Sequence, residues 1–184
     1  MRQLVSTSAI SSPSPLRAVF QGAAAAAVGT LSMDLTIFRR FKKEGGTDSF
    51  RRWESGATIT KWSDASTPGQ LGKRIIEGLM QRDLPDRAAR PTNNAVHWLT
   101  GLAWGAQFGI IAGGAKRPRV WWGAVLGSVV WAISYLILPV TGLYKPIRQY
   151  DKKILARDLA AHLNYGLITG GVFAALTPRH RVNR

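Results

Sequence analysis

Four stretches of the chain are dominated by apolar residues over nearly the length of a membrane crossing: 19–38, 95–114, 120–140 and 159–176. A helix needs roughly 20 such residues to cross about 30 Å of hydrocarbon. Four in one chain of 184 residues would leave too little polar surface to cover them in water. The pattern predicts an all-α integral membrane protein with four transmembrane helices, spans one to four. In span two His97, Gly101, Gly105, Gly109 and Gly113 recur at every fourth position, and residues four apart share a helix face. Bare backbone along such a face lets a partner helix approach closely. Span one carries Gly22, Ala26 and Thr30 on a similar face that ends in Asp34, span three carries Gly123 and Gly127, and span four carries Asp158, His162, Gly166, Gly170 and Ala174.

The polar segments between the spans predict the rest of the layout. Residues 1–16 are rich in Ser and hold Pro13 and Pro15, which reads as a flexible tail. The run 23–27 is all alanine and would suit a signal-peptide cleavage site, but the apolar stretch continues to full spanning length, so span one is read as retained. The long first loop, 39–94, predicts an amphipathic helix over about 68–82. There Thr67 serves as cap, Pro68 sits in the first turn, and Leu71, Ile75, Ile76 and Leu79 line one face. Such a helix belongs on the membrane surface or over the end of the bundle. Phe50, Trp53 and Trp62, set among basic residues, suit interface anchors, and Pro85 and Pro91 mark irregular chain. The connector 115–119 is so short that spans two and three are expected to be antiparallel neighbours. Residues 177–184 form a basic tail.

An internal repeat joins these elements. Residues 95–105, AVHWLTGLAWG, align with 160–170, AAHLNYGLITG, with identity at five of eleven positions, His97 over His162 among them. Residues 19–23 align with 120–124, which sets Asp34 opposite Tyr135. The spans therefore read as two pseudo-repeated hairpins. Because they alternate in direction, Asp34, His97, Tyr135, Asp158 and His162 all fall at one end of the bundle.

Composition sharpens this picture. Mean hydropathy is close to zero, at −0.03, only because apolar spans alternate with charged connectors. With 25 Lys and Arg against 10 Asp and Glu the chain could suit nucleic acid, but its basic residues cluster at the ends of apolar runs, as at Arg39, Arg40, Lys42 and Lys43. There they meet anionic headgroups of a bilayer. No nucleic-acid motif accompanies them, so no nucleic-acid partner is expected. Most of the Lys and Arg lie in the first and third loops, which places those loops in the cytoplasm. There is no cysteine, which removes disulfides and thiolate chemistry. Nucleophile elbows, phosphate loops and dinucleotide fingerprints are missing, and no enzyme is expected.

Ionisable residues inside a bundle are functional candidates. Three roles suit Asp34, His97, Tyr135, Asp158 and His162. They can form a hydrogen-bonded staple in a structural or accessory component; they can take up protons and couple movement of an ion or small solute; or His97 and His162 can ligate a metal or haem iron. The first two need no cofactor. Asp158, one turn before His162, is placed to fix its tautomer. The glycine faces would also serve contacts with a second copy or a larger membrane complex.

Three stretches resemble the small bacterial inner-membrane family typified by YagU: Asn-x-x-His-Trp at 94–98, WGA at 122–124 through PVTGL at 139–143 with Pro146, and Asp158-x-x-x-His162-Leu163. The resemblance covers about the C-terminal half, and the long first loop departs from it. It implies a multi-pass protein of the bacterial inner membrane, linked to acid tolerance, with no established catalysis.

Overall fold

The computed structural model describes residues 14–114 and 120–177. Among them every regular element is a helix: α1 (Pro15–Lys43), α2 (Phe50–Glu54), α3 (Thr67–Met80), α4 (Ala89–Gly113), α5 (Trp121–Ile137) and α6 (Lys152–Leu176). The all-α expectation holds. By length and hydropathy α1 and α6 are capable of crossing a membrane, while α5 is apolar but has 17 residues. Most of the expected N-terminal tail (1–13), the connector 115–119 and nearly all of the basic tail (178–184) lie outside the described residues.

Several boundaries differ from expectation, each for a local reason. Helix α1 begins at Pro15 rather than after residue 16, because the Ser14 side chain accepts from the Arg17 N–H at 3.3 Å and proline at the first helical position forgoes an N–H that would have no partner. Pro91, read as irregular, stands at the third position of α4, within the first turn, where a backbone N–H likewise has no partner inside the helix. Ser66, not Thr67, precedes the first turn of α3. Helix α6 begins at Lys152, where Asp151 accepts from the Lys153 N–H at 2.6 Å, so Asp158 lies inside a helix instead of opening it.

Helix α1 runs through the middle of the fold, packed on α4 along one side and on α6 along another, with α5 packed on α6. The α1–α4 contact is an antiparallel ladder. A Cβ added at Gly22 would lie 2.1 Å from the Gly105 carbonyl oxygen, one at Gly105 would lie 2.1 Å from the Ala26 methyl, and one at Gly109 would lie 2.1 Å from the Ala18 carbonyl oxygen. Gly101 faces Thr30 and Gly113 faces Ala18. Helices α5 and α6 meet the same way, through Gly123 against Gly166 and Gly170, and Gly127 against the backbone of His162. Small residues let backbones touch, and dispersion contacts then substitute for bulky side chains. Between these pairs Phe173 is fully buried and meets Phe108 edge-to-face at 5.5 Å.

Spans two and three were expected to be neighbours. Instead α4 and α5 scarcely touch, because their glycine faces are already occupied by α1 and α6. The gap between them is roofed by the first loop. Gly69 and Gly72 of α3 press on Asn93, Thr92 and Val96 of α4, and the Asn93 amide oxygen accepts from the Ser66 N–H at 3.0 Å and hydroxyl at 2.7 Å. Trp62, expected as an interface anchor, is buried, and its indole donates to the Leu84 carbonyl at 3.0 Å. It is a core residue of the loop.

Candidate functional site

At the head of the α1–α4 ladder, where glycines give way to polar side chains, Asp34 meets His97. The His97 Nε2 lies 3.1 Å from each carboxylate oxygen of Asp34. A carboxylate only accepts, so Nε2 donates to Asp34. Asp34 is 3 % exposed, whereas the His97 side chain keeps 30 % of its surface. The pair is thus sealed on the acid side and open on the imidazole side.

That open side is the gap between α4 and α5, a cleft of about 700 Å³. Asp34 and His97 line its head. Trp104, Val130, Ile133 and Ile137 give it apolar walls, while His162 and Asp158 border it from α6. The first loop contributes Glu54, whose carboxylate accepts from the Trp98 indole at 3.1 Å. Burial raises the Glu54 carboxyl above its ordinary range, and the nearby Asp34 raises it further, against the lowering effect of His97 and the Trp98 bond.

The second histidine is held differently. His162 Nδ1 donates to the backbone carbonyl of Asp158 at 2.9 Å, and the Asp158 carboxylate lies farther off, at 3.7 Å. Its tautomer is therefore set by main chain rather than by the carboxylate, as i to i−4 geometry in a helix allows. One Asp158 oxygen is buried without a hydrogen-bond partner. Tyr135 stands apart from the Asp34–His97 pair. It packs against Tyr144 and Tyr150, with ring centroids 5.2 and 5.3 Å away, and lines a neighbouring recess together with Asp158. In Tyr144 burial, then the Asp158 charge, raises the phenol above its usual value. The five expected residues thus form two groups, Asp34 with His97 and Asp158 with His162 and Tyr135.

Three further polar residues went unnoticed in the sequence as parts of the site. Glu54 sits on a five-residue helix, too short for any periodicity to reveal it. Asn164 donates to the Ser32 carbonyl at 3.0 Å and the Thr36 hydroxyl at 2.9 Å, tying α6 to α1, and the Tyr165 hydroxyl donates to the Gly101 carbonyl at 2.7 Å, tying α6 to α4. In the alignment of the two histidines Tyr165 falls opposite Thr100, so the repeat hides it.

As for a metal or haem, Nε2 of His97 is engaged by Asp34, and among the described residues no three His, Asp or Glu side chains come together as ligands. No family model matches the chain, and no curated protein or solved structure matches it.

Proposed function

We propose that this chain is a four-span protein of the bacterial inner membrane, a non-enzymatic component in which the Asp34–His97 pair exchanges a proton with the α4–α5 cleft and couples it to a small solute. Four-helix spanning is supported by the distribution of side chains. Alanine and glycine fill the contacts, and large apolar residues face outward on each long helix: Phe20 and Leu35 on α1, Ile111 on α4, Leu136 on α5, Leu167 on α6. Bilayer lipid is the solvent that such a surface fits. The two hairpins also share one packing scheme, with Gly22 on Gly105 and Gly123 on Gly170, the pairs that the internal repeat equates.

The observation that carries the proton reading is the openness of the His97 imidazole onto the cleft. A staple would be enclosed on both sides; here one partner is buried and the other faces a cavity. The titratable groups around the cleft are Asp34, His97, Glu54, Asp64, Asp158 and His162, with Tyr144 and Tyr165 at its edges. In liposomes loaded with a pH-sensitive dye, wild-type protein is expected to accelerate relaxation of an imposed pH step. Asp34→Asn and His97→Gln should return the rate to that of protein-free vesicles. Unchanged rates in both variants would overturn the proton reading. A second reading, a staple in an accessory subunit, draws on the fact that the pair bridges the two helices the glycines join; it predicts variants that lose only thermal stability in detergent.

A further inference from the structure

Beside the α4–α5 cleft, a second recess of about 550 Å³ opens between the end of α1 and the beginning of α6. Helix α1 lends it Ile37, Arg40, Phe41 and Glu44, and α6 lends it Ile154, Arg157 and Asp158. Among the described residues these are the two helices long and apolar enough to cross a membrane, so the recess keeps its place whether two helices cross or four. Basic residues replace apolar ones at Arg39 on α1, and α6 opens with Lys152 and Lys153. The recess therefore falls where the spans leave the hydrocarbon and meet headgroups.

Its arginines are unevenly neutralised. The half-buried Arg40 guanidinium donates to the Arg157 carbonyl at 2.8 Å, and among the described residues no carboxylate forms an ion pair with it. A partly desolvated cation with only a neutral acceptor favours an incoming anion. Arg157 is paired with Glu44 at 3.3 Å, but the two side chains are 46 % and 63 % exposed, and such a pair contributes little. Asp158, the other acid of the lining, also borders the cleft and lies 3.7 Å from His162. The remaining wall is aromatic. Tyr135, Tyr144 and Tyr150 pack ring against ring at 5.2 to 6.0 Å, and Trp53 stands 6.3 Å from Phe41, which suits the glycerol level of a bilayer.

We propose that this recess binds one molecule of an anionic glycerophospholipid, its phosphate held by Arg40 and Arg157 and its apolar part against Ile37, Phe41 and Ile154. Guanidinium groups meet phosphate oxygens through paired, charge-assisted N–H donors, and basic pockets between membrane helices lodge such headgroups. General attraction of basic loops to a charged surface needs no pocket. Here two arginines 117 positions apart in the chain converge on one recess. Free phosphate would use the arginines and leave the apolar lining uncovered, whereas a lipid uses both. The proposal rests on the reading of α1 and α6 as spans and not on proton coupling.

Native mass spectrometry of the full chain in detergent, titrated with phosphatidylglycerol or with phosphatidylethanolamine of the same acyl chains, tests the site. A saturable phosphatidylglycerol adduct is expected, about fivefold tighter than its phosphatidylethanolamine counterpart. Arg40→Gln should weaken it by about tenfold, as loss of one charge-assisted contact implies. Ile154→Asp, at a position 52 % exposed, should also weaken it by setting a negative charge in the recess. Ile147→Asp alters net charge equally outside the recess and is expected to bind like the wild type. Equal binding of the two lipids overturns the proposal without any variant having to fold. Binding indifferent to Arg40→Gln and Ile154→Asp overturns it too, as does an equal loss in Ile154→Asp and Ile147→Asp, the mark of general charge attraction. Displacement of the adduct by inorganic phosphate alone would assign the arginines to a free anion and end the lipid assignment. No readout here depends on proton movement, so absence of a pH response in liposomes leaves the lipid site standing, and absence of lipid binding leaves proton coupling standing.

Discussion

Glu54 is the residue whose titration is easiest to follow, because it lies in the first loop and not within a span. Burial, then Asp34, hold its carboxyl above the ordinary value of 4.5. Such a group binds its proton more tightly folded than unfolded, so its contribution to stability is greatest near and below pH 4.5 and declines as pH rises through the raised value. Glu54→Gln removes that decline while an amide oxygen can still accept from Trp98. Thermal midpoints in detergent between pH 4.5 and 7.5 should therefore fall less steeply with pH in the variant than in wild type; parallel profiles would show that Glu54 titrates like an exposed acid. At this scale the sequence was partly legible. Asp34 and His97 stood out because each ends a small-residue face, and a charge in such a place needs a partner. Glu54, Asn164 and Tyr165 did not, since a hydrogen bond between two helices far apart in the chain leaves no local spacing to read.

Among the elements, helix contacts depend on backbone approach, and glycines divide sharply by what surrounds them. At Gly22 a Cβ would meet the Gly105 carbonyl at 2.1 Å and Gly109 backbone at 2.8 Å, none of which can swing aside. At Gly78 of α3 nothing lies within 4 Å. Gly22→Leu is expected to separate α1 from α4 and lower stability by about 3 kcal/mol or more, at the upper end for overpacking. Gly78→Ala should raise stability by about 1 kcal/mol through helix propensity alone. Thermal unfolding followed by circular dichroism checks both; a silent Gly22→Leu would mean that the ladder does not hold the helices together. Periodicity made these faces readable in sequence, since every fourth residue of α4 from His97 to Gly113 meets α1. Helix ends were less readable. Prolines at 15 and 91 read as breaks, and only the pairing of each with a first helical turn distinguishes a start from a stop.

At the level of the whole molecule, two arrangements fit the same helices. Among the described residues only α1 and α6 are long and apolar enough to cross a membrane by composition, because Asn93, Asn94, His97 and Gln107 dilute α4 and α5 is short. The partner of each helix was also hidden from the sequence: a short connector suggested that α4 packs on α5, whereas glycine complementarity sends α4 to α1 and α5 to α6. The outward-facing apolar residues on α4 and α5 favour four spans, and the difference shows in where residue 116 lies. If only α1 and α6 cross, everything between them, residue 116 included, shares one side with the first and third loops. If all four cross, residue 116 is on the opposite side. The chain has no cysteine, so single cysteines report position without background. Ser63→Cys and Lys145→Cys, both at exposed positions, should react with a membrane-impermeant maleimide only after the inner membrane is opened, as expected of the more basic, cytoplasmic side. Lys116→Cys should react in intact spheroplasts. Labelling of all three under the same condition would reduce the fold to two spans, move the α4–α5 cleft out of the bilayer, and remove the membrane-embedded setting on which proton coupling by Asp34 and His97 depends.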